Sequence, residues 1–237
     1  MLDAGTGLTR LSGLLGAAPF RGTILLGHLH WDHTHGLPFF PAGGRDDSEV
    51  NLVMPAQGDA EEVLGRVMSP PHFPITPSQL GGHWTFVGVD EGNHNFEGFD
   101  VLAREIPHKG GRTFGYRVSD GTRSFAYLSD HSPLAVGPGP DGLGDYHEAA
   151  VELAAGVDLL IHDAQHTAAE LPAVASFGHS AIEYAVGLAR VAGSRSVMLF
   201  HHAPSRTDDE LDALVAAHGD GDGPPVSAAV EGTEVVL

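Results

Sequence analysis

Five residues with metal-binding side chains crowd into one short stretch, Gly27-His28-Leu29-His30-Trp31-Asp32-His33-Thr34-His35-Gly36. The chain carries 16 histidines and no cysteine, so imidazole nitrogens and carboxylate oxygens are its strong donors for a transition-metal ion. In extended chain His28 and His30 point to the same side, and the turn that follows swings Asp32 and His33 back towards them. Neutral imidazole with carboxylate is the ligand set that suits zinc, manganese or iron where sulfur is missing. Further candidates arrive later: His108 in "IPHKGG", Asp130 in "YLSDHSP", His162 in "LLIHDAQHT" and His201 in "LFHHAP". That is more than one tetrahedral ion takes. Two ions a few ångströms apart, bridged by a carboxylate and a hydroxide, use them all.

These side chains need a scaffold. Short apolar runs bounded by turn residues predict strands at Thr23–Leu26, Asn51–Met54, Trp84–Val89, Val101–Ile106, Arg112–Val118, Ser124–Leu128, Val157–Ile161, Ser196–Phe200, Val226–Val230 and Thr233–Leu237. Helical patterns cover Ala60–Met68, His147–Ala155, Ala181–Val191 and Asp208–His218. Ser180 with Glu183, and Thr207 with Glu210, have the spacing of capping boxes at two helix starts. Behind the first of these, Ile182, Ala185, Val186 and Ala189 form one apolar stripe. The class is mixed α/β, in one domain over residues 1–237. His28, His108, Asp130, His162 and His201 each follow a predicted strand, at the carboxyl end where α/β sheets build their sites. His179, just ahead of Ser180, lies at a helix N-terminus whose N–H groups favour an anion.

Composition narrows the partners. Net charge is −19, with one lysine, Lys109, and eleven arginines, which disfavours a long nucleic acid and points to a small-molecule substrate. No uncharged apolar run approaches bilayer length, so no membrane partner is expected. The opening residues have neither a basic start nor a long apolar stretch, and the expected location is the cytoplasm. "GDGDG" at 219–223 lacks the remaining ligands of a calcium loop and is read as a plain turn.

"HLHWDH" looks like the His-x-His-x-Asp-His signature of the metallo-β-lactamase-fold hydrolases, and the later motifs follow in that superfamily's order. "LLIHDAQHT" and "FGHSAIEYAVGLA" resemble segments of ribonuclease Z and the related bacterial cyclic-nucleotide phosphodiesterases. The resemblance spans about residues 1–215 and implies an αββα sandwich. It puts His28, His30 and His108 on one metal and Asp32, His33 and His201 on the other, with Asp130 bridging. Two divalent ions are implied, zinc first, with manganese or iron as alternatives. Asp32 and His179 are the catalytic candidates: Asp32 orients the hydroxide, and His179 contacts the phosphate and assists the leaving group.

Two departures from the family pattern stand out. Only 22 positions separate His108 from Asp130, where ribonuclease Z carries its tRNA-gripping arm. "MLDAGTG" resembles the end of an early strand, so the family's first N-terminal hairpin is expected to be missing, and with it comes the expectation of a homodimer or of reduced stability.

The implied activity is hydrolysis of a small phosphodiester, a cyclic nucleotide being one candidate. The rival readings are a lactonase, carboxylesterase or phosphotriesterase on the same metals, and a non-catalytic metal-binding protein. His162 and Asp163 are read as residues that orient ligands, and His202 as a packing or ligand-orienting neighbour of His201. Phe39-Phe40 and "PPHFP" at 70–74 are read as pocket wall or core. His35 has no role in this scheme.

Overall fold

Two sheets carry the strands. In the computed structural model, which describes residues 1–16, 18–219, 221 and 223–237, the chain forms two compact units. The first holds Met1–Glu91 with Gly110–Arg112, and the second holds Gly92–Lys109 with Thr113–Leu237.

The first unit has helix α1 (Leu8–Leu14), strand β1 (Arg21–Leu25), the one-turn helix α2 (Trp31–Thr34), strand β2 (Glu49–Pro55), helix α3 (Ala60–Gly65) and strand β3 (His83–Val89). Its three strands are parallel in the order β1-β2-β3. Ile24, Leu26, Leu52 and Met54 lie at 0–1% exposure in a core that also takes in Phe40 and Leu64. Phe40 is therefore core, whereas its neighbour Phe39 is 57% exposed.

The second unit is built on seven strands in the order β10-β9-β8-β7-β6-β5-β4. In chain order these are β4 (Gly92–Phe96), β5 (Phe99–Glu105), β6 (Phe114–Ser119), β7 (Ser124–Leu128), β8 (Leu159–Asp163), β9 (Val197–Phe200) and β10 (Val226–Ala228). Helices α4 (Glu148–Ala154), α5 (Leu171–Val174), α6 (Ile182–Ala192) and α7 (Asp208–Gly219) complete the unit. The predicted stripe on α6 is buried: Ile182, Ala185 and Ala189 at 0% and Val186 at 7%. Strands β7, β8 and β9 run parallel, and β5 and β6 alternate antiparallel to them, so β5 runs the same way as β7. The carboxyl ends of β5, β7, β8 and β9 thus meet along one edge of the sheet.

Strand β4 was absent from the sequence expectation because "GNHNF" has few of the residue types that mark a strand. It forms by pairing: Phe96 stands opposite Phe99 across a two-residue turn in which Glu97 (φ 49°) and Gly98 (φ 89°) are both left-handed. Conversely, Thr233–Leu237 is not a strand, although it is rich in β-branched residues. β10 is the last strand of its sheet, and the chain turns away at Gly232 (φ 82°). Asp220 and Asp222 of the expected 219–223 turn lie outside the described residues. Among the described residues no helix is long and apolar enough to cross a membrane.

The Thr207–Glu210 capping box forms, with the Thr207 N–H donating to Glu210 at 2.8 Å and the Glu210 N–H to the Thr207 hydroxyl at 3.3 Å. The Ser180–Glu183 box does not. Ala181 is the N-cap, the Ser180 hydroxyl donates to the His131 carbonyl, and Glu183 accepts the Ala168 N–H instead. A second working box pairs Thr167 with Glu170, whose carboxylate also takes both ends of the Arg206 guanidinium at 2.8 and 3.1 Å. The Arg206 bonds hold the Glu170 carboxyl down at about 2. A depressed carboxyl contributes stability that is complete above the unfolded value of 4.5 and is lost as pH falls towards 2. Because the pair is partly solvated, Glu170→Gln is expected to cost no more than about 1 kcal/mol at pH 7. Urea titrations of the two proteins should converge as the pH is lowered from about 5 towards 2.

Candidate metal centre

In the first unit, β1 hands the chain to Gly27 and His28. His28 is 2% exposed, with its ring 4.3 Å from that of His30 and 4.2 Å from that of His33. His30 is the extended N-cap (ψ 158°) of α2, and that single turn brings His33 back beside His28. The His33 Nδ1–H donates to Oδ2 of Asp3 at 2.7 Å, while Oδ1 of Asp3 accepts the Gly27 N–H at 2.7 Å. Asp3 thereby fixes the His33 tautomer, and the Nε2 lone pair faces Oδ2 of Asp32 at 3.4 Å.

The second unit repeats this arrangement around Asp130. His108 lies beyond β5, Asp130 beyond β7, and His201 directly after β9. The His108 Nδ1–H donates to the Gly178 carbonyl at 2.8 Å, which leaves its Nε2 lone pair 3.4 Å from Oδ2 of Asp130. His201 presents Nε2 to Oδ1 of Asp130, also at 3.4 Å, with its Nδ1 held by the Gln165 side-chain amide at 2.9 Å. Asp130 is 1% exposed. His201 adopts φ 53°, a left-handed conformation costing about 1–3 kcal/mol for a residue with a side chain, as found where function holds backbone in place.

The repeated 3.4 Å separation tests the fit to a metal. At His33 and His108 it is too long for a charge-assisted hydrogen bond, and it sets the lone pair of a neutral ring against a carboxylate oxygen, two electron-rich atoms that repel. Around a tetrahedral zinc with bonds of about 2.0–2.1 Å, two ligand atoms sit roughly 3.3–3.4 Å apart. Three imidazole–carboxylate pairs meet that spacing; His33 and His108 each donate the far N–H to a fixed acceptor, as metal-ligating histidines do, and Gln165 holds the His201 ring at Nδ1. The donor chemistry fits divalent ions.

His179 lies beside this group. Its Nδ1–H donates to Oδ2 of Asp163 at 2.9 Å, Oδ2 of Asp130 is 3.9 Å away, and its ring stacks on that of His201 at 4.8 Å. Asp163, His179 and His201 also lie close enough to hold an ion. Asp163 is already engaged, however, accepting the His131 and Gln165 N–H groups as well.

His162 is turned away from the ligands. Its Nδ1–H donates to the Asp163 carbonyl, and its Nε2 accepts from Nδ1 of His131 at 3.0 Å. Nε2 of His131 in turn meets Nε2 of His147 at 2.8 Å. Burial holds all three below the ordinary histidine range, His131 well below it. A chain of neutral rings, each giving its N–H to the next acceptor, accounts for the sequence His147 to His131 to His162 to carbonyl. His202 packs, with Nε2 buried.

Each unit therefore assembles its own expected residues: His28, His30, Asp32 and His33 in the first, and His108, Asp130, His179 and His201 in the second. Two supporting residues, Asp3 and Gln165, were not anticipated. Their only sequence signal is a polar side chain next to a predicted strand end, which many residues share.

Residues 2–202 match the model of the beta-lactamase superfamily domain. The chain belongs to the metallo-β-lactamase superfamily. A ribonuclease Z of Geobacillus kaustophilus is 27% identical over 81% of this chain and 74% of its own length. Among solved structures, the metallo-β-lactamase-fold protein YhfI from Bacillus subtilis aligns with a TM-score of 0.69 at 18% identity, covering 98% of this chain and 84% of that one. A diphosphatase of the PhnP family aligns with a TM-score of 0.66 at 18% identity, over 100% and 79%. The mixed α/β fold is that of the superfamily, and the protein is a metal-dependent hydrolase.

Asp3→Asn tests the support of His33, since it keeps an oxygen for Gly27 and sets an amide against the His33 N–H. Metal affinity is expected to fall by about 10–100-fold with the fold retained. Competition with a fluorescent chelator, beside a circular dichroism spectrum, measures both.

Proposed function

We propose that this hydrolase cleaves a small phosphodiester, a cyclic nucleotide being the first candidate, using two divalent ions, zinc foremost. In this reading His28, His30 and His108 hold one ion, Asp32, His33 and His201 the other, and Asp130 both. The observation that carries it is the set of oriented imidazole nitrogens standing 3.4 Å from carboxylate oxygens. When bound, such a pair of ions supplies an acidified water and positive charge beside the phosphoryl oxygens.

The chain's own groups do the rest. Asp32, 60% exposed at its side chain, orients the attacking water from the solvent side. His179 carries a proton on Nε2 to the departing ester oxygen, and the Asp163 carboxylate, accepting from Nδ1, holds the ring in the orientation that this requires. Asp163 is thus a positioning residue.

A small substrate is favoured over tRNA. The interval from His108 to Asp130 is filled by the β6–β7 hairpin, closed at Asp120 by three hydrogen bonds from Thr122 and Arg123, which leaves no room there for an arm. A net charge of −19 also opposes a long polyanion. We place the work of this cysteine-free chain in the cytoplasm.

Bis(p-nitrophenyl) phosphate with added zinc or manganese is the direct assay. Turnover is expected for the parent chain. Asp130→Ala should lose metal and turnover together, whereas His179→Ala should keep its metal and lose about 10²–10⁴-fold in kcat. A metal-loaded parent that is inert on phosphodiesters but active on an acyl lactone or a phosphotriester would overturn the substrate class.

A further inference from the structure

One cavity stands out by its walls. In the first unit a cleft of about 460 Å³ is lined by Trp31, His35, Phe39, Arg66, His72 and Phe73 among others, and no described lining residue is acidic. That is unusual on a chain with 31 acidic residues. Trp31 is 62% exposed and Phe39 57%, yet neither ring hangs free. His35 stacks on Trp31 at 5.3 Å and 21°, and Phe73 meets Phe39 edge to face at 5.9 Å and 88°. Large apolar rings kept exposed and held in place by other rings make a stacking platform. The Arg66 guanidinium and the His35 and His72 rings add hydrogen-bond donors, so the cleft suits a flat ring rich in acceptor atoms rather than an aliphatic chain.

Its position in the chain matters as much. Trp31 stands between His30 and Asp32, and α2 carries Trp31 and His35 at i and i+4, on one face. His33, on the same short helix, turns instead to Asp3. The residues that build the cleft wall are thus spliced into the ligand motif, and His35, idle in the metal scheme, holds the wall ring.

We propose that this cleft is a nucleobase subsite: it stacks the heteroaromatic base of a nucleotide phosphodiester on Trp31, making the substrate a nucleotide. This rests on the phosphodiesterase reading for its place in catalysis, but base binding itself needs no metal and no phosphate.

The test exploits the two tryptophans of the chain, Trp31 and Trp84. In Trp84→Phe protein, adenosine should quench the Trp31 emission saturably at micromolar to millimolar concentration, while ribose 5-phosphate should not. In the otherwise intact chain, Trp31→Ala should weaken adenosine binding tenfold or more by calorimetry with an unchanged circular dichroism spectrum, in line with about 1–3 kcal/mol for a base on an aromatic ring. The subsite is overturned if adenosine, guanosine, cytidine and uridine all fail to quench at several millimolar, or if Trp31→Ala binds adenosine like the parent. Turnover of bis(p-nitrophenyl) phosphate without nucleoside binding would sink the subsite and leave the phosphodiesterase standing. Nucleoside binding without turnover would do the reverse.

Discussion

A carboxylate that is 1% exposed and faces an imidazole nitrogen at 3.4 Å on each oxygen is the constraint around which the second unit is arranged. Burying an ion such as Asp130 costs several kcal/mol unless opposite charge meets it. The flanking ring nitrogens stand at 3.4 Å, longer than a charge-assisted hydrogen bond. His108 has its proton on the far nitrogen, on the Gly178 carbonyl, and turns a lone pair to the acid. A divalent cation held between the near nitrogen and the carboxylate would turn this repulsion into attraction. The strand directions follow from the same need, because parallel β7, β8 and β9, with β5 running the same way, bring His108, Asp130, Asp163 and His201 to one edge.

Holding lone pairs in that arrangement requires a second layer, and this layer is where the fold spends stability. Asp3 (φ 53°) and His201 (φ 53°) both occupy the left-handed region, at about 1–3 kcal/mol each. The run His147, His131, His162 and the Asp163 carbonyl occupies buried volume with polar rings, yet leaves no donor stranded because each neutral ring gives its N–H to the next acceptor in the run. That run also fixes the sheet edge: the His131 N–H binds Asp163, and the His131 carbonyl takes the Ser180 hydroxyl, which is why Ser180 is not spent on capping α6.

The sequence made the candidate ligands legible because they are rare residue types at strand ends in a fixed order. It also made most strands legible, since apolar runs between turn residues have few other readings. Supporting residues were hidden. Asp3 and Gln165 are ordinary polar residues whose partners lie 30 and 36 positions away, and no local pattern announces such a pairing. Strand β4 was hidden because its residues are poor strand formers recruited by a hairpin, and Thr233–Leu237 misled because propensity without a neighbouring strand makes no sheet. Phe39 and Phe40 divided between the two readings offered for them, one in the cavity wall and one in the core. Periodicity cannot separate neighbours in a one-turn element.

Helix α2 shows how local weakness is made rigid. Four residues cannot sustain a helix on their own. This one is clamped from outside: the Ala4 N–H donates to the His33 carbonyl and the Gly36 N–H to the Ala4 carbonyl, both at 2.8 Å. The clamp works only because two glycines let the backbones touch. A Cβ on Gly5 would lie 2.2 Å from the Asp32 carbonyl oxygen, and one on Gly36 2.0 Å from that of Gly5. "DAGTG" thus does more than end an early strand. It is the brace of the ligand helix, with Asp3 aiming His33 and Gly5 letting the brace close. Because Trp31 and His35 ride on the same braced turn as Asp32 and His33, whatever fixes those two side chains fixes the cavity wall with them. A shift of α2 would move both together, so the backbone that orients the donors also sets where a stacked ring would stand relative to Asp32.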